Sequence, residues 1–164
     1  MPILLGMIRQ TARYILAAAM FLGATLPGAA SSDMPRTDKI ADFGVLPGWR
    51  TADGAHFAAL RITLAPGWKT YWRAPGDAGI PPQFDWRRSR NLASVRLHWP
   101  VPEVFHQNGM RAVGYSGELI LPIELTPRGA GPIALSGELE LGVCQDICVP
   151  MSVRLSSDLP AGGA

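Results

Sequence analysis

The stretch Leu141-Gly-Val-Cys-Gln-Asp-Ile-Cys-Val-Pro-Met-Ser-Val-Arg-Leu-Ser156 decides how this chain folds. It holds both cysteines of the sequence, Cys144 and Cys148. A thioredoxin-type pair opens a long helix inside a βαβ pattern. Here Cys148 runs instead into Val149-Pro150 and the alternating segment Ser152-Val-Arg-Leu-Ser156, which reads as a strand. The pair is expected to cap a β-hairpin, with no room after it for a helix or a complete thioredoxin domain.

Working outward, the same alternation recurs. Phe57, Leu60, Ile62 and Leu64 mix with Arg61 and Thr63 up to Pro66-Gly67, the signature of a half-buried strand. Further strands are expected at Trp68 to Trp72, Gln83 to Trp86, Ser94 to Trp99, Gly117 to Leu125, Ile133 to Val143 and Met151 to Ser156, each bounded by Pro, Gly or Asn. After residue 30 no segment carries a 3.6-residue apolar period. The 15 prolines and 18 glycines punctuate short strands, so an all-β, two-sheet sandwich is the favoured packing. There are no internal repeats and no low-complexity tract.

The amino terminus reads as an export signal over residues 1–30. Arg9 and Arg13 form a positive region, Tyr14 to Leu26 is apolar or small, and Pro27-Gly-Ala-Ala30 supplies a break and small residues for cleavage after Ala30. At a helical rise of about 1.5 Å, that apolar run spans about 20 Å, short of a hydrocarbon core of roughly 30 Å. A cleaved signal places the mature protein outside the cytoplasm. Residues 31–42 are polar and small and read as a disordered lead-in, with the domain at 43–158 and a tail at 159–164. The signal takes Arg9 and Arg13 and no acid, so 15 basic residues fall to 13 against 13 acidic ones. A net charge near zero gives no electrostatic case for nucleic acid or an anionic membrane as partner.

In an oxidising compartment Cys144 and Cys148 tend to close into a disulfide. In the chain-entropy picture a bond closing about 5 residues contributes roughly 2 kcal/mol, the weak end of what a cross-link offers. Such a bond suits a reagent better than a staple. Other constellations carry less. His56, His98 and His106 lack the short spacings of a zinc site. Gly114-Tyr-Ser-Gly117 lacks the second spacer of a nucleophile elbow, and there is no phosphate loop or dinucleotide fingerprint.

Four segments in order carry a resemblance: Gly67-Trp-Lys-Thr-Tyr-Trp-Arg-Ala-Pro-Gly-Asp77, Trp99-Pro-Val-Pro-Glu103, Gly114-Tyr-Ser-Gly-Glu118 with Leu121-Pro-Ile123, and Cys144-Gln-Asp-Ile-Cys-Val-Pro150. Over roughly residues 40 to 158 the chain resembles the N-terminal periplasmic domain of the thiol:disulfide interchange protein DsbD and its relatives in suppressor-of-copper-sensitivity systems. The resemblance implies an immunoglobulin-like sandwich with protein-disulfide reductase type activity. It implies electrons received from a membrane-embedded donor or a thioredoxin-like domain and passed to periplasmic disulfide-containing proteins. By position Cys144 and Cys148 are then the redox pair, which needs no cofactor, and Cys148 is the exposed, attacking sulfur. Better-known members have more residues between their cysteines, and the membrane and thioredoxin modules usually fused downstream are not part of this sequence.

Thiol exchange needs a thiolate, and nearby cations lower a thiol pKa. Between Glu138 and Met151 there is no Lys, Arg or His, while Glu138, Glu140 and Asp146 are present. Without thiolate stabilisation the pair leans toward a reductant, unless folding brings Arg73, Arg111 or Arg154 beside it. Trp68, Tyr71 and Trp72 read first as sandwich core, with Tyr71 or Trp72 as a cover over the thiols in the functional reading. An alternative function uses the same cysteines: Cys144, Cys148 and Met151, with Met110 or a histidine in reserve, form a soft donor set suited to Cu(I).

Overall fold

The computed structural model describes residues 39–107 and 109–162. The expected signal at 1–30 and the lead-in as far as residue 38 lie outside the described residues. Ten strands follow in order: β1 (Ala41–Arg50), β2 (His56–Leu64), β3 (Lys69–Gly76), β4 (Gln83–Asp85), β5 (Leu92–Leu97), β6 (Glu103–Gln107), β7 (Met110–Ser116), β8 (Glu118–Pro127), β9 (Ile133–Cys144) and β10 (Cys148–Leu159). Among the described residues no helix is long and apolar enough to cross a membrane.

The strands form two antiparallel sheets packed as an immunoglobulin-like β-sandwich. One sheet has the order β1-β2-β8-β5, and the other β10-β9-β3-β7-β6 with β4 paired to β9. Alternation along each strand sends one set of side chains inward. On β2 these are Ala58, Leu60, Ile62 and Leu64; on β8, Leu119, Leu121, Ile123 and Leu125; on β9, Leu135, Leu139, Leu141 and Val143, all buried. Trp68, Trp72, Phe84, Trp86 and Trp99 pack against this core. Trp99 stacks on Tyr115, whose hydroxyl donates to the Pro100 carbonyl at 2.9 Å. Burial raises the Tyr115 pKa to about 12.

The first strand starts at Ala41 and the last ends at Leu159. Ile40, Ala41 and Leu159 are buried, so hydrophobic burial holds the first and last strands to the core. The alternation also overlooks β1, β6 and β7. In β1 the Pro47-Gly48 pair breaks the pattern, because the strand bulges there against β2. Gly48 sits at φ 62, and an added Cβ would fall 1.8 Å from the Phe57 carbonyl oxygen. The buried His56 imidazole holds the bulge, its Nε2 lying 2.6 Å from the Pro47 carbonyl oxygen.

Candidate functional site

Cys144 ends β9 and Cys148 begins β10, and the two are direct cross-strand partners. Their sulfurs form a disulfide, with the Cα atoms 4.1 Å apart. The tip is closed by a hydrogen bond from the Gln145 amide to the Ile147 carbonyl at 3.0 Å. β10 is the last strand of its sheet, which leaves the tip accessible. Ile147 is 62% exposed within it.

Parity decides which face the sulfurs occupy. Val143 and Leu141 point into the core, so Cys144 and Gly142 point to the outer face, as do their partners Cys148 and Pro150. The two sulfurs are unlike: Cys144 is 1% exposed, whereas Cys148 is exposed. Cys144 forms a small cluster with Tyr71 and Ala112, separate from the two larger apolar clusters. The Tyr71 hydroxyl lies 3.6 Å from Cys148 Sγ. Burial holds the Tyr71 pKa above its usual value, so the hydroxyl keeps its proton and can donate to sulfur at neutral pH.

Tyr71 is buried although it faces outward, because the segment joining β3 to β4 folds over it. A Cβ on Gly79 would lie 2.7 Å from Tyr71 Cδ1, and one on Gly142 would lie 2.8 Å from Ile80 Cβ. Ile80 therefore rests directly on the hairpin backbone two residues from Cys144. Beside it runs a groove of about 350 Å³ lined by Ile80, Pro81, Gln83, Glu140, Leu141, Pro150, Met151 and Ser152. A larger open groove, about 770 Å³, lies along Phe84 to Val95 and Arg128. It holds the exposed Asp85–Arg87 ion pair and neither sulfur.

Of the two aromatic covers expected, the structure brings Tyr71 to the disulfide and turns Trp72 away. Successive strand residues face opposite sides, and Trp72 packs against the core with the Arg73 guanidinium 4.8 Å from its ring. Met151 is likewise on the core face, paired with Leu141 and 9% exposed. It stands on the opposite side of the hairpin from the sulfurs and adds no third donor beside them. Among the described residues no three His, Cys, Asp or Glu side chains gather as a metal site.

Three arginines are the cations that folding could bring beside the pair, and of these Arg73 lies over the Trp72 ring. Arg154 pairs with Glu138, well down the hairpin, and the Arg111 amide and carbonyl engage Asp77. Lys69 instead is the direct cross-strand partner of Cys144. No local pattern reveals it, since β3 and β9 are joined only by the fold.

These features define a β-sandwich domain with its two cysteines joined in a disulfide at a hairpin tip. The chain belongs to the family thiol:disulfide interchange protein DsbD, N-terminal, which matches residues 42–160. The crystal structure of the N-terminal periplasmic domain of ScsB from Proteus mirabilis is similar at 30% identity and a TM-score of 0.59, over 79% of this chain and 50% of that one. The present chain thus spans about half the length of that relative. The Neisseria meningitidis DsbD N-terminal domain in the reduced form is 16% identical, with a TM-score of 0.47, over 78% of this chain and 92% of that one. Among curated proteins none matches.

Proposed function

We propose that this protein is an exported, periplasmic dithiol–disulfide exchange domain that passes reducing equivalents through Cys144 and Cys148. The observation that carries the reading is the asymmetric pair on an edge hairpin, one sulfur exposed under a tyrosine hydroxyl and the other buried behind it. Cys148 as thiolate attacks a partner disulfide and forms a mixed disulfide, and the departing partner sulfur takes up a proton. Cys144, deprotonated, then attacks Cys148 Sγ, closes the intramolecular bond and releases the second partner sulfur as a thiol. Two electrons and two protons pass from the domain to the partner. A membrane-embedded reductase or a thioredoxin-like domain restores the dithiol, and the acceptors are periplasmic disulfide-containing proteins. Family membership and the periplasmic origin named for the ScsB relative support this assignment.

The test is a redox titration of the purified protein in dithiothreitol buffers, with free thiols counted by mass after alkylation, run with and without Cu(I). Reversible cycling between disulfide and dithiol in the folded protein is expected. A bond that resists reduction until the protein is denatured would remove the exchange reading. Stoichiometric Cu(I) binding by the dithiol, without exchange, would favour the copper alternative.

A further inference from the structure

We infer that Lys69 is a positioning cation for the Cys144 sulfur, serving the step in which Cys144 displaces the bound partner. This rests on the exchange reading above and adds a residue to it. β3 lies between β9 and β7, and Lys69 pairs with Cys144 on one side and Ser116 on the other. Directly opposed residues share a sheet face, their side-chain roots about 5 Å apart. Lys69 is therefore rooted on the outer face beside Cys144, two residues from Tyr71.

Cys144 needs such a neighbour more than Cys148 does. A thiolate at a buried position is disfavoured by lost hydration, and a nearby positive charge is what offsets it. The acids near this face have partners or solvent. Glu103 accepts a hydrogen bond from the Ser116 hydroxyl at 3.1 Å, while Glu140 and Asp146 are exposed. Tyr71 keeps its proton. Lys69 forms no ion pair among the described residues, and its Nζ rests 5.0 Å from the centre of the Phe105 ring. In the disulfide neither sulfur is charged, and the aromatic face holds the ammonium. Once a partner occupies Cys148 and Cys144 loses its proton to solvent, the anion one strand away draws the ammonium off the ring. The thiolate then attacks Cys148 Sγ, the Cys144–Cys148 bond forms, and the partner thiolate leaves and is protonated.

Ellman's reagent separates the two steps, because the reduced protein releases one chromophore when Cys148 attacks and a second when Cys144 displaces the adduct. Stopped-flow traces from pH 5 to 10 are to be compared for the wild type, Lys69→Met, Lys69→Arg and Phe105→Leu. Lys69→Met should slow the second release about tenfold at pH 7 and move its pH midpoint up by about one unit, a tenfold change being one pH unit. Its first release should change by less than about threefold. Lys69→Arg should restore the midpoint, and Phe105→Leu, which frees the ammonium while keeping Lys69, should lower it. An unshifted midpoint in Lys69→Met, or equal slowing of both releases, would overturn the inference. A wild-type protein that releases no chromophore while folded would overturn the exchange reading itself.

Discussion

Cys144 and Cys148 are four residues apart and chemically unlike, and the difference is one of access. An attacking sulfur must reach a partner disulfide, which the exposed Cys148 can do and the buried Cys144 cannot. Under the proposed exchange, Cys144→Ser keeps the attacking sulfur and removes the one that releases the adduct, so it should accumulate a mixed disulfide with a partner. Cys148→Ser should not. Non-reducing gels after incubation with a disulfide-bonded protein and an alkylating quench distinguish the two, and accumulation in Cys148→Ser alone would exchange the roles. The cysteines themselves were legible from spacing and compartment. Tyr71 was legible only as one of two adjacent aromatics, since the choice between Tyr71 and Trp72 is a choice of strand parity that the segment Trp68 to Trp72 does not reveal. Lys69 was invisible, because its relation to Cys144 exists only through the pairing of β3 with β9.

At the scale of elements, another segment of the chain shields the hairpin. β3 pairs with β9 at Lys69 and Thr70, β4 takes over the same edge lower down, and the chain between them crosses the outer face with Ile80 against Gly142. Gly142→Ala puts a methyl group 2.8 Å from Ile80 Cβ and 3.0 Å from its Cδ1. Cβ is fixed to the backbone, so the segment must lift. The expected result is a stability loss of about 1–3 kcal/mol, the range for overpacking. The reduced thiols should at the same time react severalfold faster with iodoacetamide. Unchanged reactivity would mean that the segment does not shield the sulfurs. Strands with clean alternation, such as β2 and β8, were readable because each buries one face. The others fail for local reasons: β1 carries a bulge at Pro47-Gly48, the short edge strand β6 exposes Val104, and β7 buries Tyr115 in the core and Ala112 on the outer face with Tyr71. A pattern that depends on one face being buried registers neither an exposed edge such as β6 nor a strand such as β7 that buries residues on both faces.

Over the whole molecule, two features separate stability from function. The first is alkaline titration. Burial raises the pKa values of Tyr71 and Tyr115, the latter to about 12, so the folded state holds these protons more tightly than the unfolded chain does. A raised folded-state pKa gives stability that is fully present below the unfolded value near 10 and lost as pH rises through about 12. Tyr115→Phe should flatten the fall in melting temperature between pH 10 and 12. At neutral pH it should cost about 1 kcal/mol for the lost hydrogen bond to Pro100. An equally steep alkaline fall in the variant would show that Tyr115 does not drive it.

The second feature is the disulfide, and here the size of the sandwich decides the outcome. The core is built from β2, β8 and β9, and its two larger clusters contain neither cysteine. Cys144 belongs only to the outer cluster with Tyr71 and Ala112. Removing the bond forfeits about 2 kcal/mol of loop-closure entropy for a ring of about 5 residues. For a domain of this size that corresponds to a fall in melting temperature of about 8 °C. The variant Cys144→Ala with Cys148→Ser avoids burying a hydroxyl beside Tyr71 and leaves the core untouched. It should melt cooperatively, with the tryptophan signal of the packed Trp72, Trp86 and Trp99 intact at room temperature, and should transfer no electrons in the Ellman assay. Unfolding at room temperature would show that the bond holds the sandwich together. The weak closure entropy of its loop would then no longer argue for a reagent.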